Sequence, residues 1–254
     1  MLVETKRSLS RFFPQPLLRA VRRGAWEVAH PWCTLDSGVK VEIVSINQWI
    51  LFTDIFVRGE YDPAIDRAIE TSGSHFIGID LGANIGFFSL RLADRVLTTR
   101  GPAAAFTVYS VEGATREFRQ LERRVEQPAV RGKVRPIHGL VGNRSGRGII
   151  SRGHEHTNEV VESGDGDAVA YVDLEELLPP DCEIDLLKCD IEGSEEPFIE
   201  NYGALLRRVR VAVFELHGDR CDVGRCERLL SEAGFAQGRT TTVNGHCRVV
   251  VFTR

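Results

Sequence analysis

From residue 76 onward the chain alternates short apolar runs with amphipathic segments, and this alternation restricts it to few folds. FIGIDLG (76–82) is an apolar run closed by a glycine turn, and FFSLRLADRVL (87–97) continues with helical periodicity. TVYSVEG (107–113), VRPIHGLVG (134–142), IDLLKCDIEG (184–193) and VRVAVFELHG (209–218) read as further strands. TREFRQLERRVE (115–126), VDLEELLP (172–179), SEEPFIENYGALLRRV (194–209) and CERLLSEAGF (226–235) read as helices between or after them. Strands separated by helices cannot pair as tight hairpins. They need crossovers, which specifies an α/β fold: a mostly parallel sheet with helices on both faces. TTVNGHCRVVVFTR (241–254) instead alternates about a turn at Asn244-Gly245, so one antiparallel strand is expected at the end of the sheet.

One set of fold signals appears, so residues 46–254 are expected to form one domain, preceded by an arm and strand over residues 1–45. The arm, MLVETKRSLSRFFPQPLLRAVRRGAW, carries Lys6, Arg7, Arg11, Arg19, Arg22 and Arg23 against Glu4 as its one acid. Leu9, Phe12, Phe13, Leu17, Leu18 and Val21 are interleaved, and Pro14 and Pro16 divide it into two short helical pieces. This N-terminal helical arm reads as packed on the domain, with peripheral contact to an anionic membrane surface or cover over a substrate as the alternative. Gly38–Val44 alternates as a half-buried strand, and residues 47–70 read as helical at both ends, broken at Gly59. Residues 142–171 are polar and rich in Gly and His, and read as a hairpin or irregular insertion. Within them His154-Glu155-His156 is read as exposed loop rather than a metal site.

The net charge of −4 argues against a general nucleic-acid binder. No apolar run approaches the roughly 20 residues of a membrane span, and no secretory signal is read. Cys33, Cys182, Cys189, Cys221, Cys226 and Cys247 include no CxxC pair, so they are expected to be reduced thiols of a cytoplasmic protein and not a zinc site.

The loop Asp80-Leu81-Gly82-Ala83-Asn84-Ile85-Gly86 follows the first of these regular strands, where an open α/β sheet brings its ligand closest. Gly82 and Gly86 allow close backbone approach. Asp80 would hold the loop or meet a cationic part of the ligand. Glu112, at the end of the next strand, is placed to accept both hydroxyls of a ribose. The pattern D-x-G-x-N-x-G is not the dinucleotide fingerprint, and no GxxxxGK[ST] loop is present. It suits S-adenosylmethionine, which has no phosphate and whose aminocarboxylate needs backbone donors. Asn84 offers either an amide for that end of the cofactor or simply a residue tolerant of a left-handed turn.

DLGANIGFFSL, VYSVEG, IDLLKCDIEGSEEPFIENYGALL and VAVFELHG together resemble the FkbM family of S-adenosylmethionine-dependent methyltransferases, and the upstream IFVRGEYDP is similar to that family's leading segment. The resemblance covers about residues 47–235. It implies a Rossmann-like class I methyltransferase fold of seven strands with one antiparallel, and O-methylation of a hydroxyl on a sugar, glycolipid or polyketide-type natural product. By motif match, Asp80, Gly82, Ala83, Asn84 and Gly86 would line the methionine end of the cofactor, Glu112 would take the ribose, and Tyr61 would close over the cofactor.

The strand ends Lys188-Cys189-Asp190-Ile191-Glu192-Gly193 and Glu215-Leu216-His217 should share the rim of the cofactor loop. Alternation places Lys188, Asp190 and Glu192 on one side, and Glu215 with His217. Asp190 is assigned to both cofactor and acceptor. Two mechanisms are open: a general base, His217 or Asp190, with carboxylates orienting hydroxyls, or a Mg²⁺, Mn²⁺ or Ca²⁺ ion held by some of Asp190, Glu192, Glu215 and His217. Glu195 reads as a favourable charge at the start of the following helix, and Lys188 as the partner of a carboxylate. A protein or nucleic-acid methyltransferase, or a non-catalytic cofactor-binding protein, is the competing function. No [DN]-P-P-[YFW] block follows the fourth of these regular strands, which argues against an adenine-N6 enzyme.

Overall fold

The computed structural model describes residues 31–151, 160–161 and 166–254. The expected arm over residues 1–30 lies outside the described residues. The hairpin of β1 (Trp32–Thr34) and β2 (Lys40–Glu42) comes first, so the strand expected over 38–44 is shorter and has an antiparallel partner. Helix α1 (Ile46–Phe52), capped by Ser45, runs on into a π-helical turn (Thr53–Val57). Gly59, at φ +65°, breaks the run before α2 (Asp62–Thr71), with Pro63 in the first turn.

The regular part begins with β3 (His75–Leu81), α3 (Phe87–Arg100), β4 (Ala105–Glu112), α4 (Thr115–Val125) and β5 (Val134–His138). After an insertion built of β6 (Arg147–Ser151), β7 (Val160–Val161) and β8 (Gly166–Ala170), it continues through α5 (Leu174–Leu177), β9 (Ile184–Cys189), α6 (Glu195–Asn201), α7 (Gly203–Leu206), β10 (Val209–His217), α8 (Val223–Glu232), β11 (Arg239–Asn244) and β12 (Cys247–Thr253). The main sheet has seven strands in the order β11-β12-β10-β9-β3-β4-β5. Only β12 runs against its neighbours.

Both faces of this sheet are covered, which is why β9 is buried throughout and apolar apart from Asp185 and Lys188. On one face Ile65, Leu90 and Leu121 of α2, α3 and α4 pack with Phe106 and Val108. On the other, Phe198, Leu206 and Leu230 pack with Ile79, Leu187 and Phe214. From β3 the chain builds outward one way through β4 and β5, then returns to β9 and β10 on the other side. The cleft at such a reversal is the natural ligand position, and it lies above the ends of β3 and β9.

Three further local expectations change. The insertion is a three-stranded antiparallel sheet, anchored by Ile150 and Val169 against Leu140 and Ala114. His154-Glu155-His156 lies outside the described residues. The single helix expected over 194–209 is two, because Tyr202 at φ −115° leaves the helical region between them. The final turn is Gly245-His246, since Asn244 pairs with Cys247. No helix among the described residues is long and apolar enough to cross a membrane.

Candidate functional site

The loop between β3 and α3 is shaped by backbone geometry that its glycines permit. Gly82 is at φ +69°, and a Cβ there would stand 1.7 Å from the Asp190 carbonyl oxygen. Gly86 is at φ +89° directly before α3, where a Cβ would meet Leu121 Cδ1 at 2.6 Å. Asn84 adopts the left-handed conformation, at φ +50°, a state that costs most side chains about 1–2 kcal/mol. Its backbone N–H donates to Glu112 Oε2 at 2.7 Å. The second oxygen of Glu112 accepts from Ala114 N–H at 2.7 Å. Glycine loop and acid therefore line one wall of the cleft. Burial pushes Glu112 up to about 7, against these two backbone donors.

Asp80 lies beneath the loop with no solvent exposure. Its Oδ2 accepts from Ser89 Oγ at 2.6 Å, and Ser89 in turn meets Ser110 at 2.7 Å. Its Oδ1 has no hydrogen-bond partner and faces Lys188 Nζ at 3.5 Å. Lys188 is the junction of the site. Its ammonium donates to the Gly82 carbonyl at 2.9 Å and lies 3.3 Å from Asp190 Oδ2. Burial works against its charge, but Asp190, Asp80 and Glu215 overcome this and hold the ammonium protonated.

Beyond Lys188 the strand ends of β9 and β10 gather the other candidates. The alternation expected through Glu192 stops after Asp190. Glu192 is in a left-handed turn at φ +53°, followed by Gly193 at φ +101°. That turn swings its carboxylate to Arg220, 2.6 Å away, and to within 3.5 Å of His217 Nε2. His217 Nδ1 meets Glu195 Oε1 at 3.1 Å. Glu195 is wholly buried and also accepts from Ile191 N–H at 3.2 Å and Gly193 N–H at 2.8 Å. It sits in the first turn of α6, yet its carboxylate serves the Asp190–Gly193 loop and His217. Burial disfavours a charged imidazole, but Cys247, Glu195 and Asp190 outweigh it and raise His217 to about 11. It therefore carries a proton at neutral pH.

Tyr61, from the segment before α2, donates its hydroxyl to Glu215. Its ring stands edge-on to Phe88 at 5.1 Å, so the tyrosine joins the start of α3 to the end of β10. Burial, with Asp190 adding repulsion, raises Glu215 to about 7, against the pull of Lys188. Glu215 also lies 3.6 Å from Cys247 Sγ, and Asp190 has Lys188 as its cation at 3.3 Å.

Asp190, Glu192 and His217 each offer a ligand atom within 4.8 Å of one another. Lys188 and Arg220 already face the two carboxylates, and Glu195 already holds His217 Nδ1. The donor set is thus charge-compensated by side chains and does not fit a divalent cation well.

Ser89, Ser110, Arg220 and Cys247 join the site without any signal in the motif spacing. Ala83 is buried, and its N–H donates to Val111 O at 2.9 Å, tying the loop to β4.

A sequence profile of the methyltransferase FkbM domain matches residues 80–236. Among solved structures, the METTL16 MTase domain is 14% identical with a TM-score of 0.52, covering 94% of this chain and 92% of that one. A methyltransferase FkbM from Methylobacillus flagellatus KT is 14% identical, with a TM-score of 0.48 over 79% of this chain and 60% of that one. Magnesium protoporphyrin IX methyltransferase from Synechocystis PCC 6803, solved with bound S-adenosylmethionine, is 12% identical, with a TM-score of 0.47 over 93% of this chain and 96% of that one. No curated protein sequence matches. The sheet order, the single antiparallel strand and the profile match together give a Rossmann-like class I methyltransferase fold.

Proposed function

Because the chain belongs to the FkbM methyltransferase family, we propose that it is an S-adenosylmethionine-dependent O-methyltransferase, acting on a hydroxyl of a small molecule such as a sugar, a glycolipid or a polyketide-type product. The observation that carries this reading is the position of Lys188, whose ammonium holds the Gly82 carbonyl of the glycine loop on one side and Asp190 on the other. Cofactor wall and acceptor wall are thereby fixed relative to each other, which an in-line transfer needs.

S-adenosylmethionine supplies, when bound, a methyl group activated by its sulfonium. Glu112 would accept the ribose hydroxyls, and the backbone donors of Gly82–Gly86 would take the aminocarboxylate. Asp190 would face the sulfonium side of the cleft, with Tyr61 closing it. A sugar-type hydroxyl needs its proton removed as it attacks. We assign this to Glu215: at about 7 it takes up a proton near neutrality far better than an ordinary carboxylate. Tyr61 orients Glu215. His217, already protonated between Glu195 and Glu192, would orient the acceptor oxygen together with Asp190, and Glu192 would border the pocket.

Incubation with methyl-labelled S-adenosylmethionine and a panel of glycosides and hydroxylated lactones tests this. Label should enter a product that survives alkaline hydrolysis, as an ether does, and EDTA should not reduce it. Label recovered only in base-labile esters, in amines or in protein would overturn the hydroxyl assignment.

A further inference from the structure

Among the described residues, large apolar side chains are exposed at Trp32, Ile46, Trp49, Ile50, Val57 and Val243. All but Val243 fall between residues 32 and 57, ahead of the first strand of the main sheet. Ile46, Ile50 and Val57 are spaced four and seven apart on the helical run from α1 through the π-helical turn, and are 49%, 55% and 67% exposed. Ile46 and Ile50 share one side of α1, and Val57 ends the π-helical turn beyond Asp54. The other side is embedded: Ile55 is buried, Phe52 and Phe56 pack on Phe87, and Gln48 bonds Gln120 of α4. The helix is thus seated on the domain and presents a convex apolar stripe to water.

Basic groups border that stripe. On α4, Arg119 and Arg123 are exposed four apart in one row, with Glu122 and Glu126 exposed beside them. Lys40 lies 5.6 Å from the ring of Trp32, and at the far end Arg58 is exposed and paired with Asp54 at 2.6 Å. Residues 1–30 join the chain immediately before this face. They hold six basic and two acidic residues, in a chain whose net charge is −4.

We propose that this face docks on an anionic lipid bilayer. Trp32, Ile46, Ile50 and Val57 enter the boundary between headgroups and acyl chains, while Lys40 and the α4 arginines meet the headgroups. A convex helix side with isoleucine, valine and tryptophan suits a deformable interface, and flanking cations add attraction to anionic lipid. The same helical run packs on Phe87, next to Gly86 of the cofactor loop, so docking would hold that loop one helix away from the membrane surface.

Co-sedimentation of the full chain with vesicles of phosphatidylcholine containing a quarter phosphatidylglycerol tests this, with pure phosphatidylcholine as control. Binding should require the anionic lipid, weaken as salt rises, and fall at least tenfold in the triple variant Ile46→Ser, Ile50→Ser, Val57→Ser. Arg119→Ser with Arg123→Ser should weaken it less, and only at low salt. Both variants should keep the parent's circular dichroism spectrum, since the altered side chains are exposed. Absence of parent binding overturns the proposal, as does undiminished binding by the triple variant, which would leave the contact to residues 1–30 alone. A triple variant that turns a dimer into a monomer by light scattering, with no vesicle binding by the parent, would make this face a contact between copies.

Discussion

Glu195 Oε1 lies 3.1 Å from His217 Nδ1, with the carboxylate wholly buried and His217 bridging on to Glu192. This contact holds the imidazole of His217 protonated at the strand end of β10, beside the strand end of β9. The folded His217 is raised from 6.5 to about 11, so the stability it contributes is fully present below about 6.5 and is lost as pH rises through about 11. Chemical denaturation between pH 6 and pH 11 should show this decline. Glu195→Gln should flatten it and cost about 3 kcal/mol at pH 6, as removing one partner of a buried pair does. The imidazole resonances of His217 should then titrate at lower pH than in the parent.

Lys188→Met should be severe for a different reason. It leaves Asp80, wholly buried, and Asp190 without their shared cation. The cost should be about 3–5 kcal/mol by urea denaturation. A variant as stable as the parent would mean that the ammonium does not join the two walls.

Gly82→Ala should damage the loop even though only a methyl group is added. The methyl would meet the Asp190 carbonyl at 1.7 Å, at a backbone angle that alanine avoids. Cofactor affinity should fall at least tenfold, by roughly 1.4 kcal/mol or more. Asn84→Gly, which relieves the left-handed strain at φ +50°, should change stability by less than about 1 kcal/mol.

The base assignment makes a rate prediction. With cofactor saturating, turnover should increase with pH across the acidic range as Glu215 ionises, and the cofactor's positive charge should move this limb below the value of about 7 for the free protein. Glu215→Gln should lower turnover by roughly 10²–10⁴-fold and remove that limb. Retention of the limb in Glu215→Gln would reassign the base.

Much of this was legible in the chain itself, for physical reasons. β3, β4, β9 and β10 are buried on both faces, so each appears as an apolar run, and the helices between them reveal the crossovers. The loop from Asp80 to Gly86 was legible because left-handed backbone at Gly82 and Gly86 demands glycine. The rest depends on contacts between distant segments. Glu195 reads as an acid at a helix start, and its burial against His217 follows only once β10 lies beside β9. Alternation carries Lys188, Asp190 and Glu192 to one side on paper, but the left-handed turn at Glu192 redirects it to Arg220. Tyr61 and Glu215 are 154 residues apart, and no local pattern joins them.

The most direct test is calorimetric titration with S-adenosylmethionine at pH 6 and pH 8. Ribose hydroxyls donate to the ionised carboxylate of Glu112, whose folded value is about 7. Affinity should therefore rise between these two pH values, by up to about tenfold per pH unit below the midpoint. Glu112→Gln should bind at least tenfold more weakly at pH 8 and lose most of the pH dependence. No heat of binding at millimolar cofactor, or a Glu112→Gln variant with the parent's affinity at both pH values, would contradict a cofactor held between Glu112 and the Asp80–Gly86 loop.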